Sequence, residues 1–233
     1  MLVSVILPTF NEAGHINLLI SKILELFSEK SINCEAIVID DDSPDGTANL
    51  VSNQFNEDRR VKLILRKNET GLASAIKRGI IESNGDIVVL MDTDFNHNPS
   101  DIIRMLHYSG RYEVVIGSRF IKGGDMAGAK ARWYGSFAFN CFASFFLGLK
   151  TWENQSGFLV IHRKLFKKMD LDDIFFGYGD YNLRLFHLLK STNNKIKEVP
   201  VVYDERMSGE SKTDFVGHLV QYIVAVFKLR WGW

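Results

Sequence analysis

Asp92, Thr93 and Asp94 follow directly on Asp86–Met91, whose Asp-Ile-Val-Val-Leu-Met reads as a buried strand. Alternate residues of an extended chain point the same way, so the two carboxylates converge just past the strand's end. That edge is where α/β sheets bind ligands. Two like charges held so close need a cation, and oxygen-only ligation suits Mg²⁺ or Mn²⁺ bridging substrate phosphates. A second acidic run, Asp40-Asp41-Asp42-Ser43-Pro44-Asp45-Gly46-Thr47, also follows a strand-like segment. Adjacent acids at a strand end are costly without a partner, so Asp40 or Asp41 is expected to be functional, accepting from a nucleobase N–H. Asp45 and Thr47 read as turn and helix-cap residues. Pro8-Thr9-Phe10-Asn11-Glu12 offers backbone groups, an aromatic face and a carboxylate at the same edge.

The elements that must hold these groups alternate through the first half. Strands are expected at Val3–Leu7, Glu35–Ile39, Val61–Leu65, Asp86–Met91 and Glu113–Ser118. Helices are expected at Ala13–Ser28, Thr47–Phe55 and Gly71–Glu82, the first from its apolar spacing. This order predicts an α/β fold with a mostly parallel twisted sheet and helices on both faces. Later come a strand near Phe158–Ile161, a helix over Asp180–Leu189 and a strand over Val199–Tyr203. Trp133–Leu149 is aromatic-rich and uncharged, and Phe215–Phe227 carries a wide apolar face with His218 and Gln221 on its polar stripe. Lys228, Arg230, Trp231 and Trp233 follow, and aromatics with cations beside an apolar helix mark a membrane interface. The apolar run is shorter than the roughly 20 residues of a span. Both segments therefore read as lying on a membrane, the alternative being that they complete the core.

Composition excludes several classes. The 233 residues carry 28 Lys+Arg against 28 Asp+Glu, with no basic run, so nucleic acid is not an expected partner. Hydrophobic content of 46% is ordinary for a globular chain. Cys34 and Cys141 lack metal-ligand spacing and read as reduced thiols of a cytosolic protein. Met1-Leu2 runs straight into a strand with no basic segment, so no signal peptide is expected.

Val3–Glu12, Val38–Thr47 and Met91–Asp94 together resemble the inverting family 2 of GT-A glycosyltransferases, and within it the polyprenol-phosphate (dolichol-phosphate) mannose synthases. Arg66 with Gly71-Leu72, Gly117–Phe120 with Gly123-Gly124, then Arg132, Ser136 and Asn140 extend the likeness. Ser156–Phe158 and Arg206-x-x-Gly209-x-Ser211-Lys212 complete it. The resemblance implies one GT-A, Rossmann-like catalytic domain over 1–233, with C-terminal amphipathic membrane-interface helices. It would divide into a nucleotide-sugar half (1–118), an acceptor-binding half (119–213) and an amphipathic C-terminal helix (214–233).

The same resemblance implies roles. Pro8, Phe10, Glu12, Asp40 and Asp41 would hold the nucleoside of GDP-mannose or a UDP-sugar. Asp92, Thr93, Asp94 and Asn96 would complete the nucleotide-sugar site, with Asp92, Asp94 and Asn96 around Mg²⁺ or Mn²⁺. Arg119, Arg132 and Ser136 would take the phosphate of a polyprenyl phosphate, since Arg binds phosphate bidentately. Arg206 and Lys212 would close a basic loop over the diphosphate, with Ser211 adding a hydrogen bond. Asp92, Asp94, Arg119, Arg206 and Lys212 are thus the expected catalytic set. The protein would sit peripherally at the cytoplasmic face of a membrane, with or without an anchoring partner protein. Glu153 stands where the family commonly has Asp and would position the acceptor.

His97 precedes Asn98-Pro99 and reads as a turn residue; the other histidines have no convergent spacing. Leu159 replaces the family's Arg after Ser-Gly-Phe, and Phe175–Tyr181 replaces its Phe-Gln-x-Glu, leaving the sugar open. No Gln-x-x-Arg-Trp is present, which argues for one sugar per encounter. A saccharide acceptor is the alternative, and it needs a general base, for which Glu153 and Asp180 are the candidates. A catalytically silent sugar-nucleotide-binding subunit is a third reading, opposed by the Asp92/Asp94 pair and the Arg206–Lys212 segment.

Overall fold

The computed structural model describes residues 1–128, 130–192, 194–204 and 215–232, for 215–218 the backbone only. Arg206, Ser211 and Lys212 lie outside the described residues, as does the side chain of His218. The chain begins β1 (Leu2–Thr9), α1 (Ile16–Glu29), β2 (Asn33–Asp40), α2 (Thr47–Phe55), β3 (Val61–Leu65), α3 (Leu72–Glu82) and β4 (Ile87–Leu90). It continues α4 (Ser100–Leu106), β5 (Val114–Ser118), β6 (Asp125–Met126), α5 (Lys130–Leu147), β7 (Leu159–His162) and α6 (Arg163–Phe166). α7 (Tyr181–Ser191), β8 (Ile196–Pro200), β9 (Val202–Tyr203) and α8 (Phe215–Trp231) follow.

The main sheet runs β3-β2-β1-β4-β7-β5-β8, with β7 antiparallel to both neighbours and the other pairs parallel. The expected α/β class and mostly parallel sheet are therefore observed. Strand pleating divides the core in two. Val3, Val5, Leu7, Ile87 and Val89 face α1, α2 and α4. Ile6, Val88 and Leu90 face α3, α6 and α7. These central strands are buried on both faces, which is why they read as continuous apolar runs.

Several boundaries differ from expectation. The strand expected over Val199–Tyr203 divides, because Pro200 stays in register with Ser118 while Val202 and Tyr203 leave to pair with β6. The Trp133–Leu149 segment lies in α5 as far as Leu147 and leaves the helix at Gly148; Phe139, Ala143 and Leu147 pack on Ala225 and Val226 of α8 and Leu183 of α7. Part of each aromatic segment thus builds core, while Phe145 (81% exposed), Tyr134, Val220, Val224 and Trp231 remain outward. Among the described residues no helix is long and apolar enough to cross a membrane.

Candidate active site

β1 and β4 pair in register from Val3↔Ile87 to Ile6↔Leu90. Chain order departs from them in opposite directions, to β2 and β3 on one side and towards β7 and β5 on the other. Loops leaving such a pair diverge and open a crevice at the carboxyl ends. A cavity of about 670 Å³ lies there. Its lining includes Pro8, Phe10, Glu12 and Asp41 from the loops after β1 and β2, and Asp92, Thr93, Asp94 and Asn96 after β4. Arg119, from the end of β5, and Arg132 and Ser136, one turn apart on α5, also line it.

Asp40, expected at the nucleoside, does not line the cavity, and neither do Glu153 and Asp180. Asp40 is fully buried, and its carboxylate accepts from the Ser43 N–H at 2.9 Å, Ser43 Oγ at 2.7 Å and Thr9 Oγ1 at 3.2 Å. The loops after β1 and β2 are laced together. Asn11 N–H donates to Ser43 Oγ, Glu12 N–H to Thr47 Oγ1, and Ala13 N–H to Asp45 Oδ2, each within 3.0 Å. Burial works against the Asp45 charge, yet hydrogen bonds from Thr47 and the Ala13 N–H outweigh it and hold the carboxyl below its ordinary range.

Asp41 is nearly buried and serves the neighbouring loop. Its Oδ1 accepts from Arg66 Nε at 2.7 Å and also from Arg66 Nη2, and its Oδ2 accepts from the Gly71 N–H at 2.8 Å. Arg66 also donates to Ser74 Oγ and the Gly71 carbonyl, which fixes the Thr70–Leu72 wall of the cavity. A carboxylate offers about four acceptor directions, so one remains for a base N–H. Glu12 Oε2 lies 2.7 Å from His15 Nε2, which holds that carboxylate at the rim.

Asp92 and Asp94 differ in burial. The Asp92 side chain is 45% exposed, whereas Asp94 is 8% exposed. Asp94 Oδ1 accepts the Asn96 N–H at 3.0 Å, and the Thr93 hydroxyl donates to the Pro8 carbonyl at 3.3 Å, tying this loop to β1. Asn96 Nδ2 donates to the Asp204 carbonyl at 2.9 Å, so that side chain braces the segment after β9. A Cβ at Gly157 would stand 3.0 Å from Asp92 Oδ1, so glycine there keeps space for the carboxylate. Among the described residues no three His, Cys, Asp or Glu side chains gather as a metal cage. Two oxygen-bearing residues open to a cavity fit an ion that retains waters and takes substrate phosphates, as Mg²⁺ and Mn²⁺ do.

Beyond the end of β5, Arg119 is 9% exposed and Glu153 wholly buried. Nε and Nη2 of Arg119 each donate to Glu153 at 2.8 Å, a bidentate fork. Burial disfavours the guanidinium charge, but the Glu153 charge and hydrogen bonds outweigh it and raise Arg119 above its ordinary value. The guanidinium also lies over the Tyr203 ring at 4.4 Å. Glu198 in turn accepts the Trp152 and Glu153 N–H groups at 3.0 Å, and burial pushes its own carboxyl up. The cavity continues past Tyr178, Tyr181 and Tyr222, towards the α5–α8 contact.

Sequence reasoning placed the cavity residues but missed what holds them. His97, read as a turn residue, does lie in a bend, but it is 1% exposed and its Nδ1 accepts the Asp92 N–H at 3.0 Å. Arg66 and Glu198 anchor loops from other strands, and only the three-dimensional register brings them there. The histidine left a sequence signal, three positions past Asp94, and Arg66 with Gly71-Leu72 belonged to the family likeness, whereas Glu198 left none.

Comparison with known proteins bears on this geometry. The family model described as glycosyl transferase family 2 matches residues 4–175. The chain is 33% identical over 222 residues to a dolichol-phosphate mannosyltransferase from Pyrococcus furiosus, covering 91% of this chain but 59% of that relative's length. It is 32% identical over 242 residues to an undecaprenyl-phosphate mannosyltransferase from Micrococcus luteus, covering 100% of this chain and 94% of the relative. Among solved structures, glucosyl-3-phosphoglycerate synthase from Mycobacterium tuberculosis, in complex with Mn²⁺, UDP and phosphoglyceric acid, superposes with a TM-score of 0.73. That match has 20% identity and covers 98% of this chain and 78% of the other. Mannosyl-3-phosphoglycerate synthase from Rubrobacter xylanophilus gives 0.69 at 21% identity, covering 98% and 72%. These structures share the fold.

Proposed function

Because the chain belongs to glycosyl transferase family 2, we propose that its cavity transfers a hexose from a nucleotide sugar to a polyprenyl phosphate at a membrane surface. The observation that carries this reading is the pairing, in one cavity, of strand-end carboxylates with two arginines. One set suits a diphosphate leaving group through a cation; the other suits an anionic acceptor. The names of the Pyrococcus and Micrococcus relatives support the same acceptor class.

In this reading residues 1–118 bind the donor, with Pro8, Phe10, Glu12 and Asp41 around the nucleoside. Asp92 and Asp94, with Asn96 beside them, hold Mg²⁺ or Mn²⁺, which when bound neutralises charge building on the departing nucleoside diphosphate. Arg206 and Lys212, with Ser211, complete the diphosphate site. Arg119, Arg132 and Ser136 orient the lipid phosphate. One of its oxygens attacks the anomeric carbon, the bond to the diphosphate breaks with its electron pair, and the configuration inverts. No base is required, since a phosphate monoester with a second pKa of about 6 is already anionic at neutral pH. Catalysis rests on positioning and electrostatics. The outward aromatics of α5 and α8 dock the protein peripherally at the cytoplasmic membrane face.

A saccharide acceptor has less support. Glu153 is sealed against Arg119, and Asp180 accepts from Arg184 Nη1 and the Tyr178 N–H, so both candidate bases are engaged. The test offers labelled GDP-mannose, UDP-glucose and UDP-N-acetylglucosamine separately, with short-chain polyprenyl phosphate and Mn²⁺. Label moving into organic solvent from one donor supports the reading. Label confined to water-soluble product from every donor contradicts it.

A further inference from the structure

His97 stands apart from the groups assigned so far, although it touches one of them. Its ring is stacked on Phe158, with centroids 4.7 Å apart and planes 9° apart, and meets Tyr203 edge-on at 4.6 Å. Tyr203 is itself pinned by a 2.6 Å hydrogen bond with Ser156. The imidazole is thus clamped between two buried aromatic rings, and its orientation is fixed by packing.

That orientation aims both ring nitrogens at Asp92. A backbone amide only donates, so Nδ1 is the acceptor of the Asp92 N–H, and the neutral ring carries its proton on Nε2. Nε2 lies 3.7 Å from Asp92 Oδ2. The turn that returns His97 beneath Asp92 is built by Phe95 in the left-handed region (φ 62°) and by the Asn96 N–H bonded to Asp94 Oδ1. Asp92 is half-exposed, so burial does not fix its rotamer as it does for Asp94.

We propose that His97 is a positioning residue: through Nδ1 it fixes the Asp92 amide where β4 gives way to the loop, and so aims the Asp92 carboxylate at the divalent ion. This rests on the reading of Asp92 and Asp94 as metal ligands. Ligating carboxylates commonly depend on such supporting hydrogen bonds, and removing one typically costs 10–100-fold in metal affinity.

The test titrates Mn²⁺ into the protein with GDP or with UDP and no acceptor, following free Mn²⁺ by electron paramagnetic resonance. His97→Phe keeps the aromatic stack and removes the acceptor; His97→Asn keeps an acceptor near the Nδ1 position and removes the stack. Positioning predicts that His97→Phe weakens Mn²⁺ binding about 10–100-fold while His97→Asn stays within about threefold of wild type. A packing role predicts the reverse, and Mn²⁺ affinity retained in His97→Phe, or lost equally in both, overturns the proposal. Should His97→Phe fail to fold by circular dichroism, His97→Gln replaces it, reaching the Nε2 position without an acceptor at Nδ1, with the same expected loss. Asp92→Asn is the control. Unchanged Mn²⁺ binding in that variant refutes the metal-ligand reading itself, whatever the His97 variants do.

Discussion

Glu153→Gln removes the charge facing Arg119 while keeping the side chain's shape. Arg119 is 9% exposed and Glu153 fully buried, so water cannot replace the lost partner. The guanidinium, held above its ordinary value, stays charged. Breaking a buried pair by removing one partner costs about 3–5 kcal/mol, and because Gln retains one acceptor the lower end, about 3 kcal/mol, applies. For a domain of this size each kcal/mol lowers the midpoint by about 2–4 °C, which gives a fall of about 6–12 °C. Thermal unfolding at pH 7, followed by circular dichroism at one protein concentration, measures it. Exchanging both partners for apolar groups, Arg119→Met with Glu153→Leu, is expected to recover most of the midpoint, because no buried charge is left uncompensated. The double variant is expected to remain impaired in transfer, since the guanidinium proposed to hold the acceptor phosphate is gone. A single Glu153→Gln variant that melts within about 2 °C of wild type refutes the assignment of this pair as a buried, mutually dependent unit.

Gly157→Ala inserts a Cβ 3.0 Å from Asp92 Oδ1 and should lower kcat about tenfold through a small misplacement of that carboxylate, with little change in melting. Steady-state kinetics beside a thermal melt checks it, and unchanged kcat counts against the Asp92 geometry. Phe145, 81% exposed on α5, loses about 1.5–3 kcal/mol of transfer energy when replaced by Ser if it enters a bilayer. Vesicle co-sedimentation of Phe145→Ser should then show binding weakened roughly tenfold or more; equal binding removes this face from the membrane contact. Glu35 accepts from Ser4 Oγ and the Asn84 N–H; burial opposes its charge, but these bonds outweigh it and hold the carboxyl below its ordinary value. Its stabilisation is present above about pH 4.3, the unfolded value, and is lost as pH falls through the lower folded value. Glu35→Gln should therefore show a smaller drop in melting temperature than wild type between pH 6 and pH 3, and an equal drop contradicts the sign.

The strand-end positions were legible because they are local. Val-Val-Leu before Asp92 and Ile-Val-Ile before Asp40 announce buried strands, and the residues just past them must lie at the sheet edge. Direction and partnership were not legible. Leu159–His162 is four residues that read alike parallel or antiparallel, so its insertion against the grain between β4 and β5 emerges only from pairing. Asp40 and Asp41 are indistinguishable in the sequence, yet alternation on β2 sends one into a loop bridge with Ser43 and the other towards Arg66 and the cavity. Arg119 and Glu153 are 34 positions apart, and nothing local pairs them. Trp133–Leu149 divides between core and surface because a single helix presents both faces, a division set by where α8 packs.

The proposed mechanism makes an anionic lipid oxygen the nucleophile and has the Asp92–Asp94 clamp release the donor. Its most direct test compares short-chain polyprenyl phosphate with the same alcohol lacking phosphate, using the donor that is turned over, with Mn²⁺ present or chelated. Label is expected in the organic phase only with phosphate and free Mn²⁺ together, and is expected to be lost in Asp92→Asn. Equal transfer to the unphosphorylated alcohol, or transfer undiminished by chelation and by Asp92→Asn, would contradict this mechanism.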